Sequence, residues 1–151
     1  MNTTDDRLSV LLIDSNDTDR TYYADRLKKY SSEYVVHEAA TGEFGLAIYL
    51  AQPVDCVVLE LDLVDKSGFE VLVQLVPIAH KPGVAVIVLT QLSNHYLAEL
   101  ALKNGAFAFL LKSGASGDTL DKTIQKAISV ITRDKKKAQH DSTPLPLEPL
   151  E

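Results

Sequence analysis

The chain has little of what would mark it for an oxidising compartment, a membrane or a nucleic acid. Its 151 residues include one cysteine, Cys56, so no internal disulfide can form. Its place inside an apolar run reads as a small buried hydrophobe rather than a reactive thiol. No apolar stretch approaches the ~20 residues that a membrane span needs. The start, Met1-Asn2-Thr3-Thr4-Asp5-Asp6, lacks the basic-then-apolar order of a secretory leader. A cytoplasmic location is expected. Basic charge is also short, since 15 Lys and Arg against 21 Asp and Glu leave a net charge of -6. Phosphate-rich partners reward a basic face, so neither nucleic acid nor a membrane surface is expected as a partner.

What is present is a regular alternation. Apolar β-type runs fall at about 8–13, 34–38, 55–60, 84–89 and 107–111, with helical patterns between them. Asp17 is expected to cap a first helix reaching about Tyr30, with Tyr23, Leu27 and Tyr30 at helical spacing. Thr41 and Gly42 open a second helix to Ala51, expected to bury Phe44, Ala47, Ile48 and Ala51, with Pro53 stopping it. Gly68 begins a third, with Phe69, Leu72, Val73 and Val76 inward. A fourth runs from about Ser93 to Asn104 and is stopped by Gly105. A fifth, from Asp118 to about Arg133, carries the stripe Leu120, Ile124, Ala127, Ile128 and Ile131. Five strands alternating with five helices predict a single α/β domain, a five-stranded parallel sheet doubly wound in the flavodoxin-like manner.

The ends of these runs carry the chemistry. Asp14 follows Val10-Leu11-Leu12-Ile13, Glu60 follows Val57-Val58-Leu59, Thr90 follows Val84 to Leu89, and Lys112 follows Ala108-Phe109-Leu110-Leu111. The C-terminal ends of parallel strands lie side by side, so two acids, a hydroxyl and an ammonium should converge on one pocket. Taken singly each has a plainer role: a helix-capping acid, a turn hydroxyl, a solvated lysine.

These residues, in this order, resemble the receiver (CheY-like) domain of bacterial two-component response regulators. The resemblance covers about residues 8–133, leaving 1–7 as an N-terminal tail and 134–151 as a charged, then proline-rich tail. Asp14 to Asp17 is similar to the family's acidic turn, and Pro53 to Leu63 to its acceptor strand. Ser67-Gly68 resembles the turn into the third helix, Ile87 to Thr90 the switch-hydroxyl strand, and Ala101 to Lys112 the run into the family's lysine. The resemblance implies a non-enzymatic signalling module of a phosphorelay. Its partner would be a histidine kinase or an output protein, and a homodimer would form through the fourth helix, fifth strand and fifth helix. Phe109 stands at the switch-aromatic position, and lacking a hydroxyl it is expected to turn inward.

Departures from the family pattern cluster at the site. The acceptor aspartate is Glu60, the second acid of the first loop is Ser15, the small residue after the hydroxyl is Gln91, and the proline after the lysine is Ser113. The family's magnesium would rest on Asp14, Glu60 and the main-chain carbonyl at Asp62, whose side chain is expected to be solvated rather than an extra metal carboxylate. Ser15 removes one charge from that set, so magnesium binding is expected to be weak or lost. The added methylene of Glu60 displaces its carboxylate by ~1 Å along the line of attack, an error that costs roughly 100-fold in rate. The resemblance thus implies a degenerate pseudo-receiver, with Glu60 reaching Lys112 and Thr90 in place of a phosphoryl group. Two alternatives are a working phosphoacceptor on Glu60 or Asp62 with magnesium, and a flavodoxin-like ligand-binding domain. The latter is disfavoured because Asp14-Ser15-Asn16-Asp17 is not a glycine-rich phosphate loop.

Past Arg133, Asp134-Lys135-Lys136-Lys137 reads as a charged helix end. Pro144, Pro146 and Pro149, alternating with leucines, favour extended polyproline conformations over a packed element.

Overall fold

A computed structural model describes residues 6–141, with side chains through residue 137. The elements run β1 (Leu8–Ile13), α1 (Asp17–Tyr30), β2 (Tyr34–Ala39), α2 (Gly42–Ala51), β3 (Cys56–Leu59), α3 (Gly68–Leu75), β4 (Ala85–Thr90), α4 (His95–Lys103), β5 (Ala108–Leu111) and α5 (Gly117–Asp141). The strands form one parallel sheet in the order β2-β1-β3-β4-β5. The expected doubly wound fold is therefore present, and every strand falls where the apolar runs placed it to within a residue or two.

Side chains alternate across the sheet and split the core in two. Val10, Leu12, Cys56, Val58, Ile87 and Leu89 pack with α1 and α5. Leu11, Ile13, Val57, Leu59, Val86 and Val88 pack on the other face with α3 and α4 and the partly buried residues of α2. Cys56 is fully buried, and desolvation drives its thiol pKa well above the ordinary range, so it is inert.

Several helix details differ from the sequence expectation. Asn16, not Asp17, caps α1, accepting from the Asp19 amide at 3.0 Å. Asp17 instead pairs with Arg20 at 2.7 Å. Tyr30 and Val73 are exposed, while Ala24 and Val71 take the inward positions. The largest correction is α2, where Phe44, Ala47 and Ala51 face outward and Ile48 is only half-buried. The buried residues are Gly42 and Gly45, with Leu46 and Tyr49 packed partly against the core. A Cβ at Gly45 would lie 2.4 Å from Ile13 Cδ1, so this glycine lets the helix approach β1 closely.

α4 ends as expected. Gly105 has φ of 97°, and the Gly105 and Ala106 amides turn back to Leu102 and Ala101, closing the last turn. α5 continues past Arg133 to Asp141, so Asp134 to Lys137 are helical rather than a helix end. The proline-rich stretch expected from Pro144 onward lies outside the described residues, as does the start before Asp6.

Candidate functional site at the C-terminal end of the sheet

The sheet ladder continues one residue past β1, β3 and β5 and so aligns the polar residues. Asp14 N donates to Ala39 O at 3.0 Å, Glu60 N to Ile13 O at 3.0 Å, and Lys112 N to Thr90 O at 2.9 Å. Gly68 fixes the loop behind Glu60. Its amide donates to Leu61 O at 2.9 Å, and a Cβ there would lie 2.5 Å from Leu61 Cα and 2.6 Å from Glu60 O. Any side chain at this position would push the backbone that carries Glu60.

The centre of the site is the Lys112 ammonium, which meets Asp14 Oδ2 at 2.7 Å, Asp19 Oδ2 at 2.9 Å and Glu60 Oε1 at 3.1 Å. The Lys112 side chain is 10% exposed and that of Glu60 2%. Burial alone would lower the lysine pKa, but the hydrogen bonds to Asp14 and Asp19 and the charges of Asp14 and Glu60 outweigh it and hold it above the ordinary range. The Asp14 carboxyl is shifted upward, because its burial exceeds the opposing pull of Lys112 and of the Asn16 amide.

Glu60 is saturated with donors. Oε2 accepts from Leu61 N at 2.6 Å and from Asp62 N at 3.3 Å, while Oε1 accepts from Gln91 N at 3.2 Å and faces Lys112. Three amides and one ammonium thus surround one carboxylate, an arrangement that receives an anion. Thr90, expected to join them, does not. It is fully buried, and its Oγ1 accepts from Leu92 N at 3.1 Å. No hydrogen bond links it to Glu60 among the described residues. The hydroxyl serves its own turn, and the Gln91 amide supplies the donor instead.

Magnesium needs several free oxygens in octahedral array, and the acids here do not offer them. Asp14 Oδ1 accepts from Asn16 N at 2.9 Å and Oδ2 faces Lys112. Asp62 turns its Oδ2 to Gln91 Nε2 at 3.1 Å. Ser15 is employed structurally, donating to Ala40 O at 2.6 Å and accepting from Val64 N at 3.1 Å. Among the described residues no group of three or more His, Cys, Asp or Glu side chains is placed to hold an ion. This arrangement does not fit magnesium.

Sequence reasoning missed three participants. Asp19 reaches Lys112 from α1. Arg20 donates to Asp14 O at 2.7 Å and pairs with Glu38 and Asp17. Gln91, noted only as a departure, ties the β4–α4 loop to both Glu60 and Asp62. Asp19 and Arg20 do carry a signal. Once the helix start is placed at Asn16, Asp17 and Arg20 stand at i, i+3 and Asp19 falls in the first turn, beside the strand ends.

Beside this site, β5 is an edge strand, and α4, β5 and α5 border an open cleft of about 520 Å³ lined by Asn94, His95, Ala98, Phe109, Leu111 and Thr119, among others. Phe109 is half-buried: it touches the core on one side and lines the cleft on the other. Tyr96 stands exposed on α4, and His95 pairs with Glu99 at 3.0 Å on its surface.

No helix among the described residues is long and apolar enough to cross a membrane. The fold matches solved structures over nearly their whole length. A CheY-like receiver domain protein from Methanospirillum hungatei gives a TM-score of 0.74 at 21% identity, covering 85% of this chain and 98% of that one. The receiver domain of a putative LuxO repressor protein from Vibrio parahaemolyticus gives 0.77 at 22%, covering 87% and 97%. In sequence, a Vibrio cholerae protein described as a probable cyclic di-GMP phosphodiesterase is 28% identical over 104 residues, 69% of this chain. The match spans only 23% of that relative's length. The family profile of the response regulator receiver domain matches residues 10–125. The polar strand ends, their lysine and this match agree, and the chain belongs to the response regulator receiver domain family.

Proposed function

We propose that this receiver is a pseudo-receiver, which serves two-component signalling through protein contacts without a phosphate switch. The observation that carries the reading is the Glu60 carboxylate, held by the Leu61, Asp62 and Gln91 amides and by Lys112. Those donors are what an acyl-phosphate's oxygens would require, and here a side chain of the chain itself occupies them. Phosphoryl transfer depends on a positioned nucleophile and a divalent cation. Glu60 is already committed to four donors, and the neighbouring acids do not form a magnesium cage. Asp62, the other acid on this strand end, points to Gln91 instead of Lys112.

On this reading the α4–β5–α5 face is presented constantly to a histidine kinase or an output protein. Incubation with acetyl phosphate and magnesium, followed by intact-mass measurement, tests it. No phosphoryl mass is expected. A stable adduct of one phosphoryl group overturns the reading in favour of a working acceptor.

A further inference from the structure

Gln91 and Asp62 close a ring around the Glu60 carboxylate. The Gln91 amide donates to Oε1 at 3.2 Å and the Asp62 amide to Oε2 at 3.3 Å, so the two residues hold opposite oxygens of one group. Their side chains then meet, with Gln91 Nε2 donating to Asp62 Oδ2 at 3.1 Å. Glu60 inside this ring is 2% exposed, although Gln91 and Asp62 themselves lie on the surface. Losing any one of the three bonds frees the residues that make the other two, so the ring opens cooperatively.

The two loops that meet here are not held alike. The β3–α3 loop, which carries Asp62, is pinned from several sides. Val64 N donates to Ser15 Oγ at 3.1 Å, and the Asp65 carboxylate accepts from the Gly42 and Glu43 amides at 2.9 and 3.0 Å, at the start of α2. Asp62 is therefore a fixed post. The β4–α4 loop has fewer anchors: Leu92 N turns back to Thr90 Oγ1, and Asn94 bonds the first turn of α4. Among the described residues, its hydrogen bonds to the β3–α3 side are those of Gln91 alone. Leu92, Ser93 and Asn94 are all that separate Gln91 from the first residue of α4.

We propose that the Gln91 side chain is a clasp: by gripping Asp62 it holds the β4–α4 loop down on the tip, keeps water from Glu60 and fixes the start of α4. Asn94, His95 and Ala98 line the neighbouring cleft, so Gln91 is a positioning residue for the α4–β5–α5 face. It takes the part that Thr90 does not play, since that hydroxyl serves its own turn. The residue type suits the task, because an amide NH2 donates to Asp62 where an acid would be repelled by both Asp62 and Glu60. The inference concerns the chain free of phosphate and metal, so it stands or falls separately from the reading of Glu60 as a non-acceptor.

The test is a double-mutant cycle of Gln91→Ala, Asp62→Ala and the two together, read by amide hydrogen exchange and amide chemical shifts of the full chain. Both side chains are exposed, so the core is left intact, and unchanged protection of Val10, Leu11 and Leu12 in β1 checks this. Each single variant should lower the protection of the Asp62 and Gln91 amides by roughly fivefold, the worth of one ordinary hydrogen bond, and should shift the amides of Tyr96, Leu97 and Ala98. The double variant should do no more than either single one. Gln91→Lys, which keeps a donor within reach of Asp62, should stay within about twofold of the wild type. Unchanged protection in Gln91→Ala, or losses in the single variants that add in the double one, overturn the clasp. Faster exchange at Asp62 and Gln91 with the α4 amides unshifted in Asp62→Ala overturns the positioning role and leaves α4 set by its own packing.

Discussion

The tip of the sheet and the α4–β5–α5 face share β4 and β5, yet their polar groups are arranged on opposite terms. At the tip, Asp14, Glu60 and Lys112 are withdrawn from water and, joined by the partly exposed Asp19, satisfy one another within about 3 Å. On the face, His95 and Glu99 form a pair at a similar 3.0 Å, but in full contact with solvent, beside an open cleft. In a switching receiver the first region is reset by chemistry and the second reports it. Here the first is closed by the protein's own side chains while the second stays accessible. On the proposed reading, the chemical centre has become a structural core while the surface remains available for recognition.

The strongest way to break that contrast is to remove Lys112. If the tip is a structural core, Lys112→Met leaves the buried carboxylates of Asp14 and Glu60 without their cation. Losing one partner of a buried ionic group costs about 3–5 kcal/mol, measurable by urea denaturation at neutral pH. The pH dependence has a definite sign. Asp14 already titrates above its ordinary value because of burial, and without Lys112 it shifts further upward. A carboxyl with a raised folded pKa contributes stability below its unfolded pKa and loses it as pH rises through the folded one. The variant should therefore recover stability on acidification from pH 7 toward about 4. A flat difference from wild type across that range sinks the structural-core reading.

Much of this region is legible in the sequence, because each strand announces itself as an apolar run and its next residue is placed by the parallel ladder. Asp14, Glu60 and Lys112 are brought together for that reason alone. Thr90 sits on the strand the sequence predicts but bonds a different partner, since a hydroxyl that bonds two residues ahead looks in sequence like one that reaches across a pocket. The role of Gln91 toward Glu60 has no sequence signal, because it rests on a backbone amide of the kind nearly every residue possesses. The α2 face is misjudged from sequence for a related reason. Where nearly every residue of a helix is apolar, periodicity has no phase, and only the tight approach of Gly45 to Ile13 decides which side is buried.

A second test sharpens the contrast by trying to restore the chemistry. Glu60→Asp with Ser15→Asp shortens the acceptor and returns an acid to the first loop, so magnesium binding should become measurable by calorimetry, where the wild type is expected to give no signal. The gain has a structural cost. Ser15 donates to Ala40 O and accepts from Val64 N, and a carboxylate can keep only the second contact. Without metal the double variant should lose about 1–2 kcal/mol. Unchanged metal affinity would count against the assignment of these two positions.

The smallest expected effect lies on the open face. His95 and Glu99 are separated by one helical turn, with side chains 83% and 54% exposed. Such a pair gains little, because water screens the attraction and two free side chains must be held still. His95 is also the first residue of α4, where the positive end of the helix dipole disfavours a cation. Glu99→Gln should therefore change stability by less than about 0.5 kcal/mol, and salt at about 0.5 M should erase the difference, since exposed charges are screened at that ionic strength. The same salt should leave most of the Lys112→Met penalty in place, because its carboxylates are buried. Equal salt sensitivity at the two sites would mean that the tip is as wet as the face, and the distinction between a closed centre and an open surface would fail.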